Sequence, residues 1–310
     1  MNILLTGAAG QLGSELIGLL SAHGQVIATD RSVPKRATNS WVGLDISDGA
    51  QLDVLLNQTR PDLIVNAAAY TAVDAAESDS ETAFTVNAGL PDRLSSWAKL
   101  NDARLIHYST DYVFDGSSST AYSETDSPDP QNVYGESKLA GEQLIAQSGC
   151  KHAILRTSWV YSSHGKNFVL SMLDLARRGL SLKVVDDQKG CPTWARNLAL
   201  VSNVLIKKWS TSKDYESGVF HYRDDSILSW YEFAKVIFEH GLAAGLLENS
   251  PEISPVVSTE FPQPAKRPEW SVLNTQKITD IYDVRPAPFQ DAVRTVINEI
   301  AMTGPGEQNK

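Results

Sequence analysis

The sequence predicts an α/β fold, a doubly wound parallel sheet of the Rossmann type followed by a smaller C-terminal α/β unit. Short apolar runs alternate with amphipathic segments through the first half of the chain, as in parallel strands joined by helices. The runs are apolar almost without a break, which is typical of strands buried on both faces. A glycine-spaced turn from Gly7 to Gly13 also follows the first run and opens the first amphipathic segment.

The first half of the chain supplies the predicted sheet. The predicted strands are Ile3–Thr6, Val26–Asp30, Trp41–Asp45, Leu63–Ala69, Leu105–Ser109 and Ala153–Thr157. The helices predicted between them are Ser14–Ala22, Gly49–Gln58, Ser80–Lys99 and Asn132–Gln147. Ser47 and Asp48 are N-cap candidates for the second helix, because their side-chain oxygens can accept hydrogen bonds from free backbone N–H groups.

After about residue 158 the rhythm changes. The helices predicted there are Phe168–Arg178, Thr193–Trp209, Ser229–His240 and Phe289–Met302, and the short strands are Leu182–Val185 and Val219–Tyr222. Prolines between Pro251 and Pro268 favour extended or turn-rich backbone. We therefore expect a dinucleotide-binding domain over residues 1–160, with a return strand near 217–223, a mainly substrate-binding domain over 161–302, and a flexible tail over 303–310.

The composition excludes several classes of protein. The chain has 310 residues and a formal net charge of -10, and this acidic balance argues against general nucleic-acid binding, which needs a basic surface. Its two cysteines form no disulfide framework. No apolar run reaches the roughly 20 residues that cross a bilayer, and no signal-like segment precedes the first strand. We expect a soluble, cytoplasmic protein with no membrane or nucleic-acid partner.

The glycine-spaced turn reads Thr6-Gly7-Ala8-Ala9-Gly10-Gln11-Leu12-Gly13. Gly7 allows a tight turn, Gly10 lets the backbone approach a pyrophosphate, and Gly13 lets helix and strand pack closely. Free N–H groups and the helix dipole favour an anion at that helix N-terminus. A βα turn without a ligand is the alternative, but the strand before and the helix after favour a dinucleotide.

The residues after the second strand bear on the choice of cofactor. Asp30 ends that strand, where an acid binds the adenosine ribose, whereas its neighbour Arg31 suits a 2′-phosphate. The two side chains point to opposite preferences, so we expect both NADH and NADPH to serve. Further cofactor contacts are expected from Gln11, Leu12, Asp45, Ile46, Ala67, Ala69, Tyr70, Thr71 and Tyr108.

Tyr134 and Lys138 lie one turn apart on a predicted helix and therefore share a face. An ammonium group near a phenol favours the phenolate and lowers its pKa. Such a phenol can donate its proton to a carbonyl oxygen while a hydride reaches the carbon, and Lys138 can also bind the nicotinamide ribose. Thr110 follows the fifth strand at the same edge of the sheet as the glycine turn. Its hydroxyl can bond the substrate oxygen; a β-branched residue that only ends a strand is the alternative.

Other polar residues give weaker signals. The histidines lack metal-ligand spacing, and we interpret them as structural or surface residues: His107, His152, His221 and His240. We interpret the acidic run as a solvated helix entrance: Asp74, Glu77, Asp79 and Glu81.

Longer strings carry a resemblance to a known family. They are Gly10–Gly13, Val65–Asp74, Ser109–Phe114, Asn132–Glu142, Arg156–Tyr161, Asp187–Thr193 and Arg267–Pro268. From residue 1 to about 300 the chain resembles the extended short-chain dehydrogenase/reductase family, in its branch that reduces dTDP-linked 4-keto sugars. The resemblance implies that NADPH or NADH reduces the 4-keto group of dTDP-4-dehydro-L-rhamnose, giving dTDP-L-rhamnose for surface polysaccharide.

The resemblance also implies roles for single residues. Tyr134 would be the acid and Thr110 would tune it. Thr110, Asp111 and Trp159 would contact the nucleotide sugar, since an aromatic face covers the C–H groups of a deoxysugar; core packing is the alternative for Trp159. Arg267 would lie near the diphosphate, with a surface salt bridge as the alternative. Mg²⁺ is implied as well, although the sequence offers no ligand cluster for it, and a homodimer stays open.

Two other functions share parts of this pattern. Nucleotide-sugar 4,6-dehydratases share the fold and the Tyr–Lys pair, but they carry a Thr-Asp-Glu string where this chain has Tyr112. The carboxylate that dehydration needs is therefore missing. A regulatory subunit that resembles the β subunit of methionine adenosyltransferase would bind NADP and a partner chain without turnover. The presence of Thr110, Tyr134 and Lys138 favours an enzyme.

Overall fold

The computed structural model describes residues 1–34, 40–211 and 216–303. The strands are β1 (Asn2–Thr6), β2 (Gln25–Asp30), β3 (Ser40–Gly43), β4 (Leu63–Asn66), β5 (Arg104–Thr110), β6 (Lys151–Thr157), β7 (Val160–Tyr161), β8 (Leu182–Val185), β9 (Lys189–Gly190), β10 (Thr193–Trp194), β11 (Gly218–His221), β12 (Leu228–Ser229) and β13 (Ile253–Val256). A central parallel sheet has the order β11-β6-β5-β4-β1-β2-β3. The order reverses between β1 and β4, and ligands of such sheets bind at the carboxyl ends of the strands there. The predicted doubly wound α/β fold is confirmed.

Helices cover both faces of this sheet and build the C-terminal part. They are α1 (Gln11–Ser21), α2 (Gly49–Thr59), α3 (Val73–Ala76), α4 (Ser80–Phe84), α5 (Leu90–Leu100), α6 (Val133–Ser148), α7 (Phe168–Arg177), α8 (Ala195–Thr211), α9 (Trp230–Ala243), α10 (Gln276–Tyr282) and α11 (Phe289–Thr303). Asp48 caps α2 by accepting hydrogen bonds from the backbone N–H groups of Ala50 and Gln51. No helix in the described ranges is long and apolar enough to span a bilayer.

The core lies on both faces of the sheet because successive side chains of a strand point to opposite sides. On β1, Ile3 and Leu5 join a cluster with residues of α1 and α8, such as Leu16 and Leu205. Leu4 faces the other side and joins the residues of α2 and α5. The unbroken apolar runs of the sequence follow from this double burial.

A third apolar cluster builds the C-terminal part from α7, α9 and α11. Leu173, Phe233 and Val296 are buried in it. β13, from the proline-rich stretch, is extended and pairs in parallel with β8. The predicted tail lies outside the described residues, apart from Thr303, which ends α11.

Three predicted elements differ from the observed ones. The helix predicted over residues 80–99 is divided into α4, a π-helical turn (Thr85–Gly89) and α5. The strand predicted from Leu63 ends at Asn66, where the backbone leaves the sheet. The helix predicted from Thr193 begins at Ala195, because Thr193 and Trp194 pair with β7 instead.

Candidate active site

The glycine turn joins β1 to α1 as predicted. Gly7 has a φ of 66°, and a Cβ there would lie 2.6 Å from the backbone N of Ala68. A Cβ on Gly13 would lie 2.1 Å from the backbone O of Gly7. Gly10 is the N-cap of α1 and no side chain of the described residues caps that helix, so its first N–H groups are free for an anion.

A cavity of about 450 Å³ lies beside this turn, within the range of ligand pockets. The predicted cofactor residues that line it are Gly7, Gly10, Asp30, Arg31, Asp45, Ile46, Ala67, Ala69 and Tyr70. One carboxylate oxygen of Asp30 accepts a hydrogen bond from the backbone N of Ala9 at 3.1 Å. Asp30 therefore holds the glycine turn in addition to facing the cavity, and Arg31 stays exposed.

Other predicted cofactor residues have their side chains engaged elsewhere. The amide oxygen of Gln11 accepts from Ser162 and Asn167, each at 2.9 Å, and Leu12 packs against the apolar core. Thr71 is exposed and follows the cavity lining. The hydroxyl of Tyr108 bonds Ser202 of α8 at 2.7 Å. Contacts of these four residues with a cofactor stay predictions.

Asn87 is a residue of this region that the sequence analysis missed. It lies in the π-helical turn, a feature that often marks functional sites. Its amide accepts from the backbone N of Tyr70 at 2.9 Å and donates to the backbone O of Tyr70 at 3.0 Å and to Ser137 of α6 at 3.0 Å. Asn87 thus joins a loop of the cavity to the helix that carries Tyr134. No local sequence signal indicates these contacts.

Tyr134 and Lys138 lie on α6, whose N-cap Asn132 accepts from the backbone N of Gly135. Burial raises the pKa of Tyr134 to about 12, against a hydrogen bond with Thr110, which lowers it. The expectation that Lys138 lowers this pKa is therefore wrong for the chain as described. A buried phenol keeps its proton at neutral pH, as an acid that donates to a carbonyl oxygen must.

Lys138 is turned toward β5. Its Nζ donates to the backbone O of Tyr108 at 2.6 Å and lies 3.2 Å from Nε2 of His107. Burial lowers the pKa of Lys138 to about 8, and the negative charge of Glu142 acts in the opposite direction. The ammonium form at neutral pH therefore depends on these few polar neighbours.

Thr110 is the last residue of β5, and Asp111 follows it at the same edge of the sheet. The Thr110 hydroxyl donates to Asp111 at 3.0 Å and accepts from the backbone N of Tyr112 at 3.1 Å. Asp111 is 2% exposed, and burial raises its pKa to about 7, against hydrogen bonds from Ser271 and Thr110. The edge therefore presents a hydroxyl, a phenol and a carboxyl close together.

Trp159 lies half-buried at the edge of the third cluster. Its ring stacks on that of Trp230, with centroids 3.5 Å apart and planes at 11°. A Cβ on Gly190 would lie 2.5 Å from Cε2 of Trp159, so only glycine fits against the ring. The backbone of Trp159 has a φ of 47°, in the left-handed region. The orientation of this indole is thus fixed from several sides.

Arg267 pairs with Asp74. Its two terminal nitrogens donate to the two carboxylate oxygens at 3.0 and 2.8 Å, and its side chain is 15% exposed. A hydrogen bond from Arg267 holds the pKa of Asp74 below its usual value. Glu77 accepts from the backbone N of Val133, at the start of α6, at 2.9 Å. The acidic run is therefore not merely a solvated helix entrance, because two of its carboxylates bind distant parts of the chain.

The described residues do not fit a resident Mg²⁺. No three His, Cys, Asp or Glu side chains in residues 1–34, 40–211 and 216–303 form a group that could hold a metal ion. Glu15 and Glu299 approach one point from α1 and α11, but Arg196 lies between them and donates to them at 2.8 and 2.6 Å.

A dinucleotide cavity where the strand order reverses, with a tyrosine and a lysine on the helix beside it, defines a nicotinamide-dependent oxidoreductase of the extended short-chain dehydrogenase/reductase type. The chain belongs to the RmlD substrate binding domain family, which matches it over residues 1–302. The family resemblance seen in the sequence is confirmed.

Relatives match along nearly the whole length. The dTDP-4-dehydrorhamnose reductase of Escherichia coli K12 is 39% identical over 98% of this chain and 99% of its own, and that of Aggregatibacter actinomycetemcomitans is 38% identical over 95% and 98%. A crystal structure of the dTDP-4-dehydrorhamnose reductase of Clostridium acetobutylicum matches with a TM-score of 0.86 at 34% identity, over 97% of this chain and 99% of that one. The Bacillus anthracis enzyme, solved in complex with NADP, matches with a TM-score of 0.83 at 33% identity over 96% and 99%.

Proposed function

We propose that this chain is an NAD(P)H-dependent dTDP-4-dehydrorhamnose reductase, which converts dTDP-4-dehydro-L-rhamnose to dTDP-L-rhamnose, an activated sugar for surface polysaccharide. The observation that carries the proposal is the hydrogen bond between Tyr134 and Thr110 at the carboxyl edge of the sheet, the edge at which the glycine turn and its cavity also lie. The identity of 38 to 39% to reductases of that name, over at least 95% of the chain, supports it.

The reaction adds a hydride to the carbonyl carbon C4 and a proton to its oxygen. Bound NADPH or NADH supplies the hydride. Tyr134 donates the proton to the oxygen, and its raised pKa keeps it in the donor form at neutral pH. The Thr110 hydroxyl hydrogen-bonds the same oxygen and stabilises the Tyr134 phenolate that remains after the proton transfer. Lys138, one helical turn from Tyr134, binds the nicotinamide ribose.

The nucleotide sugar would lie between the end of β5 and the C-terminal part. Asp111 bonds sugar hydroxyls, and the fixed ring of Trp159 covers the apolar face of the deoxysugar. Arg267 faces the diphosphate, since a guanidinium has more N–H donors than the Asp74 carboxylate takes up. Tyr112 stands edge-on to Tyr134, with centroids 5.9 Å apart, where a dehydratase would need a carboxylate.

The proposal includes the wider expectations from the sequence. The division into residues 1–160, with a return strand near 217–223, and a mainly substrate-binding part over 161–302 is part of the proposal. The separate apolar cluster of α7, α9 and α11 supports it, whereas α8 and α10 pack on the sheet. We also propose a cytoplasmic location, where nicotinamide cofactors are reduced and regenerated, and a homodimer, which light scattering in solution would test.

One assay tests the proposed activity. Oxidation of NADPH or NADH is followed by absorbance with dTDP-4-dehydro-L-rhamnose, and a 4-keto epimer of the sugar serves as the control. We expect turnover that is faster with the L-rhamno substrate than with the epimer. Binding of NADP(H) without any turnover, together with a tightly bound catalytic partner, would instead indicate a regulatory subunit.

A further inference from the structure

A row of buried polar side chains crosses three strands of the sheet and ends at Lys138. Oγ1 of Thr6 lies 2.6 Å from one end of the Asn66 carboxamide, and the other end lies 2.9 Å from Nδ1 of His107. Nε2 of His107 lies 3.2 Å from Nζ of Lys138. We name Thr6, Asn66 and His107 the polar row.

The register of the sheet builds this row. Thr6 on β1 is paired with Asn66 on β4, and Asn66 is paired with His107 on β5. Residues paired across parallel strands point to the same face, so the three side chains form one line near the carboxyl ends of the strands. Thr6 also directly precedes Gly7 of the cofactor turn.

The row is fully enclosed by the protein. Thr6 and His107 are 0% exposed, and Asn66 and Lys138 are 1% exposed. Buried polar groups destabilise a fold unless they are hydrogen-bonded, and here each side chain has the next one as its partner. Because no member reaches water, the row holds a position and does not carry protons to solvent.

His107 supplies one of the few partners that Lys138 has. Burial, and then the charge of Lys138, hold the pKa of His107 well below its usual value, so the ring is neutral and offers one lone pair. An ammonium group needs an acceptor for each N–H. The backbone O of Tyr108 accepts one N–H of Lys138. Nε2 of His107 accepts a second when the Asn66 carboxamide presents its oxygen to Nδ1–H of the ring, an orientation that a half turn of the amide gives.

The other charged or titratable groups around Lys138 lie on two elements. Tyr134 and Glu142 lie one turn away on either side on α6. Glu142 is held by Arg156 of β6, whose guanidinium donates to it at 2.9 and 2.6 Å. The carboxylate charge of Glu142 is thus largely balanced by Arg156. The direct contact with His107 therefore matters more for the position of the Lys138 ammonium group.

We propose that His107, oriented by Asn66 and Thr6, is a positioning residue that fixes the Lys138 ammonium group in the direction of the nicotinamide ribose and Tyr134. This inference rests on the proposed reductase function. Under this proposal the position of Lys138 in the Tyr134–Lys138 pair is supported by side chains from three strands, β1, β4 and β5.

The test compares three variants with the wild type. His107→Leu removes the ring acceptor, His107→Gln keeps a neutral amide that can accept, and His152→Leu is the matched control. His152 is also a histidine of the sheet, 8% exposed, and it bonds the backbone O of Cys150 at 2.9 Å, away from Lys138. The dissociation constant of NADPH is measured by fluorescence without sugar, and kcat is measured from pH 6 to pH 10.

With His107→Leu we expect kcat to fall and the NADPH dissociation constant to rise, each by roughly ten- to a hundred-fold, as for the loss of one hydrogen bond to a charged group. An ammonium group with fewer acceptors loses its proton more easily, so the fall of kcat on the alkaline side should move to lower pH. His107→Gln should restore most of both values, and His152→Leu should change neither.

Other results overturn the inference. A His107→Leu enzyme that melts earlier but keeps the wild-type pH profile and NADPH affinity would show a merely structural histidine. If that variant does not fold, Thr6→Val decides: a wild-type pH profile and a wild-type NADPH affinity in that variant would contradict the polar row as a positioning device. Absence of turnover in the wild type would reject the proposed function, whereas the NADPH affinities of the variants would still test the inference.

Discussion

The indole rings of Trp159 and Trp230 are stacked at a centroid distance of 3.5 Å. Nε1 of Trp230 also donates to the side chain of Gln188 at 3.2 Å, which fixes the second ring in turn. Trp159 directly precedes β7, and Trp230 is the first residue of α9 in the C-terminal part, so the stacked pair joins these two elements. The surface offered to a sugar is therefore set by residues far apart in the chain.

Trp230→Ala should weaken binding of the nucleotide sugar more than it slows the chemistry. Aromatic pairs contribute about 0.5–1.5 kcal/mol beyond their buried area, so KM should rise roughly two- to ten-fold, with a smaller change in kcat. The KM of Trp230→Phe should lie between those of the wild type and Trp230→Ala. Near-ultraviolet circular dichroism should lose the signal of two coupled indoles in both variants. An unchanged KM with a lost signal would show that the stack does not orient Trp159 for the substrate.

Tyr134→Phe should remove turnover and leave the cofactor affinity nearly intact. Only the proton donor is lost, and loss of a general acid lowers rates by about 10² to 10⁴. Single-turnover kinetics and the NADPH dissociation constant measure the two effects separately. Tyr112→Phe is the matched control, because it removes a phenol hydroxyl from the neighbouring ring. Turnover close to that of the wild type in Tyr134→Phe would refute the assignment of the acid.

Asp111→Asn should make the free energy of unfolding less dependent on pH between pH 5 and pH 8. The folded pKa of about 7 lies above the unfolded value of about 3.9, so the folded state binds the extra proton and wild-type stability falls as pH rises between these values. Between pH 5 and pH 8 the difference amounts to roughly 2–3 kcal/mol. The free energy of unfolding in urea at both pH values, for variant and wild type, measures it. The same pH dependence in both proteins would contradict a raised pKa.

Arg31→Ala should weaken NADPH and leave NADH almost unaffected. Asp30 is partly engaged with the backbone N of Ala9, whereas the exposed Arg31 is free to bond a 2′-phosphate. Loss of one charge-assisted hydrogen bond should raise the NADPH dissociation constant about tenfold. Isothermal titration with both cofactors tests this. A wild-type preference above a thousand-fold for either cofactor would contradict dual use.

Features that depend on near neighbours in the chain were readable from the sequence. Gly7 and Gly13 predict their turn because Gly7 takes a positive φ of 66° and a Cβ on Gly13 would collide with the backbone of Gly7 and Ala8, a few residues earlier. Tyr134 and Lys138 share a face because one helical turn separates them. The carboxyl-end position of Thr110 follows from the βα rhythm. These local rules predicted the fold and led to Tyr134 and Lys138 as the catalytic pair of the proposal.

What the sequence alone determined, then, is the order of the main strands and helices and the glycine turn, and it supplied the candidate residues of the catalytic edge. The tertiary structure decided the pKa direction of Tyr134, the pairing of Asp74 with Arg267 and the row from Thr6 to His107. Burial and long-range hydrogen bonds depend on which distant segments pack together, and neither periodicity nor spacing along the chain specifies that packing.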